Sequence, residues 1–233
     1  MTATIKRQSP TSKADFDLPS KTKVQKDRAK RIYDALEKCY PDAHCELDYT
    51  NPHELLIATI LSAQTTDVNV NKATPKLFAA FKTPEDYAAT TPENIEPFVR
   101  SLGFFRNKAE AVQSSMSAIA NNFDSKVPQT MDELLTLRGV ARKTANVVLG
   151  NAFNVNVGVV VDTHVLRLSK RFALTKHEDV KKIELDLMAL FARPNWTMLS
   201  HLLIWHGRRA CKARSALCAE DALCKKYCSN AKN

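Results

Sequence analysis

Glycine is scarce in this sequence, and no apolar run is long. Five of the 233 residues are glycine and few segments alternate apolar with polar residues, so an all-α fold is expected. The longest apolar runs, such as Leu55–Leu61, are much shorter than the roughly 20 residues of a transmembrane helix. Met1–Ser20 has no apolar core of the kind that a signal peptide carries, so export is not expected.

Acidic residues are too few to balance the basic ones. The chain has 34 Lys and Arg against 25 Asp and Glu, which gives a formal net charge of +9 at pH 7. The hydrophobic fraction of 44% is sufficient for a sizeable core. The excess positive charge indicates an anionic partner, and nucleic acid is the leading candidate; a basic surface without a specific partner is the alternative.

Cysteine is concentrated at one end of the chain. Four of the six cysteines are Cys211, Cys218, Cys224 and Cys228, with the spacing C-x6-C-x5-C-x3-C. In a chain without an export signal, a metal ion or cluster is favoured over a disulfide framework. Cys39 and Cys45 are interpreted as incidental thiols.

The stretch from Leu137 to His164 organises the sequence. A Thr-x-x-Glu capping box at Thr130–Glu133 predicts a short helix, Gly139 interrupts it, and a second helix is predicted from Arg142. The intervening hairpin leaves backbone N–H groups pointing outward at the positive end of the second helix. Such an arrangement binds phosphate without regard to base sequence.

Capping signals predict helices along the rest of the chain. Asn51-Pro52, Thr83-Pro84 and Thr91-Pro92 each predict a helix start, and about six helices are expected between Asn51 and Phe153. Asp162 is the expected N-cap of a later helix. The other predicted helices are Val24–Cys39, Glu54–Ala63, Ala109–Phe123, Thr163–Arg171, His177–Phe191 and Trp196–Arg209.

These residues resemble the endonuclease III family of helix-hairpin-helix DNA glycosylases. The similarity runs from about Tyr33 to Cys228, and four motifs carry it. They are ILSAQTTDVNVNKAT at Ile60–Thr74, the hairpin with Lys143, VDTH at Val161–His164, and the four cysteines. The hairpin alone is common among DNA-binding proteins; the four motifs in this order are far more specific.

The resemblance implies a two-domain helix-hairpin-helix glycosylase fold. A six-helix barrel domain would span residues 45–156. A helical domain with the cysteine cluster would be discontinuous, formed by residues 23–44 and 157–233. Residues 1–22 are polar, basic and without periodicity, so a disordered arm is expected there.

The resemblance also implies a bifunctional DNA glycosylase and AP lyase of base excision repair, acting on oxidised pyrimidines. Lys143 would attack C1′ and form a Schiff base, favoured by cationic Arg142 and by partial desolvation. Asp162 would stabilise positive charge at C1′. A surface lysine that binds phosphate and a purely structural N-cap are the alternatives for these two residues. For the whole chain, the alternatives are a monofunctional glycosylase and a non-catalytic DNA-binding protein.

The family fills the gap left by a flipped nucleotide with a glutamine and an apolar residue, which correspond here to Gln64 and Phe104. A helix-end amide and a partly buried loop aromatic are the alternatives. Phe104 departs from the usual aliphatic residue. The other implied DNA contacts are Gly139, Ala141, Arg142, Thr144, His164, Arg208, Lys212 and Arg214.

The family's cysteine motif is C-x6-C-x2-C-x5-C, and this chain departs from it because Asp221 stands at the third ligand position. A [4Fe–4S] cluster is still expected, with zinc or unligated thiols as alternatives; no gap here is the C-x2-C loop common in zinc sites. The expected partner is double-stranded DNA with a damaged base or abasic site, bound by a monomer and without a membrane. The location would be the bacterial cytoplasm at the nucleoid, or a eukaryotic nucleus.

Overall fold

The computed structural model describes residues 16–214 and 217–229, and within these ranges every regular element is helical. The elements are α1 (Lys23–Cys39), α2 (Pro52–Leu61), α3 (Asp67–Ala80), α4 (Pro84–Ala88), α5 (Pro92–Val99), α6 (Phe105–Asn122), α7 (Met131–Leu135), α8 (Arg142–Phe153), α9 (Thr163–Arg171), α10 (Val180–Leu190), a 3₁₀ turn (Arg193–Asn195), α11 (Trp196–Arg209) and α12 (Ala222–Tyr227). The all-α prediction is confirmed. Among the described residues, no helix is long and apolar enough to cross a membrane.

Side-chain caps begin most of these helices. The residues whose side chains accept a hydrogen bond from the first turn are Thr22, Asn51, Thr66, Thr83, Thr130, Asp162, Asp179 and Asp221. The starts predicted at Asn51-Pro52 and Thr83-Pro84 are confirmed. Thr91 precedes a helix as predicted, but its side chain makes no cap bond. Between Asn51 and Phe153 the structure has seven helices, against the six expected.

One hydrophobic core lies among α2–α8. All residues of α2 from Leu55 to Leu61 are buried, and α2 packs against α3, α6 and α8. Complete burial on all sides explains the absence of a polar face in its sequence. Each fully buried Leu or Ile contributes about 2 kcal/mol of transfer free energy, so α2 supplies a large share of the stabilisation of this core.

A second core brings distant parts of the chain together. Helix α1 packs against α10, α11 and α12, so residues before the first core join residues after it. Its largest fully buried side chains include Ile32, Leu36 and Phe172. The domain boundaries given above remain a prediction, and two separate cores joined in this order support it.

Helices α8 and α11 form the seam between the two cores. His201 Nε2 of α11 lies 2.7 Å from Asn151 Oδ1 of α8, and Trp205 donates to the carbonyl of His44 at 3.0 Å. Burial lowers the pKa of His201 to about 4, with a further lowering from His44 that Glu46 opposes. The seam therefore holds a neutral imidazole between the two cores at neutral pH.

The disordered arm expected over residues 1–22 does not extend to residue 22. Phe16 packs against the second core, Lys21 Nζ lies 2.5 Å from Asp186 Oδ1, and Thr22 forms a capping box with Gln25. Phe16 and Lys21 thus hold this segment against the second core, and Thr22 belongs to the start of α1. Residues 1–15 lie outside the described residues.

Candidate functional site

The hairpin between α7 and α8 depends on one glycine. Gly139 has φ +79°, and a Cβ there would lie 3.0 Å from the Cβ of Ala111. Both the left-handed backbone and the close approach to α6 therefore require glycine. Ala141 follows as the N-cap of α8 and makes no side-chain cap bond. The N–H groups in the first turn of α8, including that of Thr144, thus keep the orientation that binds an anion.

Lys143 and Asp162 each lie at the start of a helix. Lys143 is exposed in the first turn of α8. Asp162 caps α9, and its Oδ1 accepts from the Val165 N–H at 2.8 Å. Asp162 therefore acts as a structural N-cap. Capping uses one carboxylate oxygen, and the other oxygen can still face a ligand. The partial desolvation expected for Lys143 is absent in this chain alone.

Arg142 is bound inside the protein. Its Nε and Nη2 each donate to Glu184 of α10 at 2.9 Å, and Asn146 donates to the same carboxylate at 3.0 Å. Gly158 lies directly against this group, because a Cβ there would collide with Glu184. Arg142 thus fixes the start of α8 to the second core. Its predicted contact with DNA stays a prediction, since Nε and Nη2 are already engaged by Glu184.

Gln64 and Phe104 are both exposed and lie in two separate loops. Gln64 has φ +54° and Phe104 has φ +57°, in the left-handed region that residues other than glycine rarely adopt. The Phe104 side chain is 65% exposed, so it is not the partly buried aromatic of the alternative interpretation. Strained backbone that presents an exposed side chain is typical of binding sites.

Lys108 connects these two loops, and sequence reasoning did not single it out. It lies on α6 one turn after Phe104, its side chain is buried, and its Nζ donates to Thr65 Oγ1 at 2.6 Å. Burial lowers the pKa of Lys108. The available signal was its position among the apolar residues of α6, where Val112, Ser115 and Ile119 continue the same buried face.

His164 lies in a group of polar residues behind Asp162. Its Nδ1 is 3.3 Å from Arg167 Nη2, which also donates to the carbonyl of Gly207 at 2.9 Å. Burial lowers the pKa of His164; the charge of Asp162 acts in the opposite direction, while Arg167 and Arg208 add to the lowering. A neutral His164 held against α11 supports an orienting role rather than proton transfer.

Arg208 joins the two cores. It forms ion pairs with Glu46 and, at 2.8 Å, with Asp67 at the start of α3. Burial acts to lower the pKa of Arg208, but its hydrogen bonds and charge attraction to Asp67 and Glu46 outweigh this and raise it. Arg208 therefore has protein partners where phosphate contacts were expected. Lys212 and Arg214, by contrast, are exposed.

The four C-terminal cysteines meet at one buried point. Sulfur separations are 3.6 Å for Cys211–Cys218, 3.9 Å for Cys211–Cys228 and 3.9 Å for Cys218–Cys228. All four sulfur atoms lie within 4.8 Å of one another. These separations exceed the about 2.05 Å of a disulfide bond. The four thiols are close enough together to bind a metal ion.

Comparison with known proteins places this geometry in one family. Residues 57–193 match the HhH-GPD superfamily of base excision DNA repair proteins. Endonuclease III of Synechocystis sp. is 52% identical over 85% of this chain and 91% of that protein. Endonuclease III of Bacillus subtilis is 44% identical over 82% of this chain and 87% of that protein.

The fold agrees with a solved structure of a trapped endonuclease III–DNA covalent intermediate. The two superpose with a TM-score of 0.84 at 43% identity, over 89% of this chain and 97% of that one. The superfamily match covers more than half of the chain, and the curated relatives span most of it. The chain therefore belongs to the HhH-GPD superfamily and, within it, to the endonuclease III family.

Proposed function

We propose that this protein is a bifunctional DNA glycosylase and AP lyase that removes oxidised pyrimidines from double-stranded DNA. The observation that carries the proposal is Lys143, exposed in the first turn of α8 directly after the Gly139 hairpin. The family membership supports it, because a 43% identical endonuclease III has been trapped as a covalent intermediate with DNA.

In the proposed reaction the neutral amine of Lys143 attacks C1′ of the damaged nucleotide. The C1′–N bond breaks, and the base leaves with the bonding electron pair and takes up a proton. The sugar ring then opens to a Schiff base between C1′ and Lys143. Loss of a proton from C2′ breaks the C3′–O bond and cuts the strand, and water finally releases the lysine. Asp162 stabilises the positive charge that develops at C1′.

Bound DNA would provide the desolvation of Lys143 that the free protein lacks. The side chain is exposed, and Arg142 is neutralised by Glu184. A nucleotide placed over α8 would exclude water from the lysine and favour its neutral form. Gln64 and Phe104 would occupy the gap left by the flipped nucleotide, and Gly139, Ala141 and Thr144 would offer N–H groups to phosphate.

Reductive trapping tests the proposal. With abasic DNA and borohydride, the natural protein should form a covalent adduct, and Lys143→Ala should form none while still binding DNA. Lys108→Met is the matched control: Lys108 binds Thr65 beside Gln64 but is not the proposed nucleophile, so this variant should still form the adduct with abasic DNA. Base release without any adduct would indicate a monofunctional glycosylase. DNA binding without base release or strand cleavage would indicate a non-catalytic protein.

The four-cysteine site takes no part in this reaction. The resemblance implies a [4Fe–4S] cluster held by Cys211, Cys218, Cys224 and Cys228. Four buried thiols are suitable donors for such a cluster. Their sulfur atoms, however, lie closer together than a cube of iron and sulfide between them would allow. No step at Lys143 passes through this site.

A further inference from the structure

We propose that the four-cysteine site binds a single tetrahedral zinc ion in place of the iron–sulfur cluster implied by the family. This inference does not rest on the proposed reaction, because it concerns only the residues at the C-terminal end of the second core. The cysteines are Cys211, Cys218, Cys224 and Cys228, and all four are buried.

The size of the sulfur set matches one ion. Zinc–sulfur bonds of about 2.3 Å in a tetrahedron place the sulfur atoms roughly 3.8 Å apart. The separations among Cys211, Cys218 and Cys228 are 3.6, 3.9 and 3.9 Å, and Cys224 lies within 4.8 Å of each. In a [4Fe–4S] cluster every thiolate binds a different iron of the cube, so the thiolates are held much farther apart.

Asp221 explains how the chain departs from the family spacing. It stands where the third cysteine of the family would be, and its side chain accepts from the Cys224 N–H at 2.7 Å as the N-cap of α12. The cap begins a helical turn, and the Cys228 N–H closes that turn on the Cys224 carbonyl at 2.8 Å. Cys224 and Cys228 are thereby brought to one side of a single turn. This turn places two cysteines close enough to bind one ion, as a C-x2-C loop does in other zinc sites.

Surrounding groups support a negatively charged metal–thiolate centre. Arg171 Nη1 lies 3.1 Å from Cys211 Sγ, and four thiolates on a zinc ion carry a net charge of about −2. His206 Nε2 lies 3.2 Å from Cys224 Sγ, while its Nδ1 is 2.9 Å from the Tyr40 hydroxyl. Such outer contacts orient metal ligands and fix their geometry.

A second set of ligands is present but is less suitable. His206, Asp221 and Cys224 also offer atoms within 4.8 Å of one another. Both nitrogens of His206 already have partners, and Asp221 is engaged in capping α12. These residues therefore support the four-sulfur site rather than compete with it.

Metal analysis of the full chain is the first test. The protein should be produced in cells supplied with both iron and zinc, and purified without oxygen. The expected result is a colourless protein with about one zinc per chain. A brown protein with broad visible absorption and about four irons per chain would overturn the proposal. A protein without bound metal would overturn it equally.

A matched variant tests whether spacing selects the metal. Asp221→Cys, Cys224→Ala, Tyr227→Cys and Cys228→Ala together restore the family spacing in the same chain. Both proteins would be stripped of metal and offered zinc, or iron with sulfide. The natural chain should retain zinc and the variant should assemble the cluster. Uptake of the cluster by both chains would show that the proposal is wrong.

Cobalt replacement identifies the ligands even if cysteine variants fail to fold. Co²⁺ bound to the natural chain should show the intense visible bands and the sulfur-to-metal charge transfer of a tetrahedral four-thiolate site. His206→Gln should leave those bands in place. A spectrum typical of mixed nitrogen, oxygen and sulfur ligands would contradict the four-cysteine assignment.

Discussion

At the start of α8, Lys143 is exposed, whereas its neighbour Arg142 is held by Glu184 of the second core. The same contrast separates two larger regions. The loops of the first core present Gln64 and Phe104 to solvent on strained backbone. At the seam, by contrast, Arg208 is paired with Glu46 and Asp67. Of the expected DNA contacts, Gln64 and Phe104 are thus available to a ligand, whereas Arg142 and Arg208 are paired within the protein.

The largest effect is expected at Asp162, which belongs to both classes because it caps α9 and lies in the proposed active site. Asp162→Asn keeps the capping shape but removes the charge, so turnover should fall by about 10²–10³-fold while abasic-site binding is retained. Single-turnover base release and a binding titration measure the two effects.

Asp179 provides the control for this prediction. It caps α10 with the same geometry, accepting from the Lys182 N–H at 2.9 Å. Asp179→Asn should leave turnover unchanged. If both variants lost activity equally, the role of Asp162 would be reduced to capping.

The seam should be sensitive to acid. Burial lowers the pKa of His201 to about 4 in the folded protein, against about 6.5 in the unfolded chain. Between these values the unfolded state binds the extra proton. The contribution of His201 is therefore complete above pH 6.5 and is lost as the pH falls towards 4, up to about 3 kcal/mol.

Urea unfolding at several pH values measures this loss. His201→Gln, which keeps a donor for Asn151, should flatten the stability curve between pH 6.5 and 4. Other buried histidines also respond to acid, so the difference between the two proteins is the relevant quantity. If the free energy of unfolding of both proteins depended on pH in the same way, His201 would not be the source of the acid sensitivity.

A smaller effect on activity is expected at Lys108, which separates positioning from stability. Lys108→Met replaces a buried ammonium with an apolar chain of similar length, so the melting temperature should not fall. Base release should decrease roughly tenfold, since the bond to Thr65 that couples the two loops is lost. Cleavage of a preformed abasic site, which needs no base extrusion, should decrease less. An equal loss in both reactions would contradict the positioning role.

The smallest effect concerns residues 1–15. Their lysines and arginine add positive charge to a DNA-binding chain, so deleting them should slightly flatten the dependence of log affinity on log salt. Lesion preference should not change. A deletion to residue 22 would differ, because it would also remove the Lys21–Asp186 ion pair and the cap of α1. A thermal melt distinguishes the two deletions.

Local features of this structure were predictable from the sequence, and distant pairings were not. The caps at Asn51 and Asp162 were predicted correctly because each depends on neighbouring residues. Arg142 finds Glu184, and Arg208 finds Asp67, across long stretches of chain. Nothing in their local sequence distinguishes an arginine with an internal partner from one that awaits phosphate.

The four-cysteine site also shows what sequence spacing does not predict. Spacing alone identified four candidate metal ligands, which the structure brings together, but the absence of a C-x2-C loop argued against zinc. The cap formed by Asp221 and the turn that it begins became visible only in three dimensions. Lys108 was overlooked for a related reason: a lysine on an apolar helix face is ordinarily exposed at its tip.

At Gln64 and Phe104, which have left-handed backbone, the residue that is best for stability differs from the residue that is best for the proposed activity. Glycine at either position would relieve strain of order 1 kcal/mol in the free protein, yet it would delete the side chain proposed to enter the duplex. A library screened for thermostability alone would therefore drift towards glycine at residues 64 and 104 and lose activity. Engineering a more stable variant of this protein therefore requires that residues 64 and 104 are kept unchanged while other surface positions are varied.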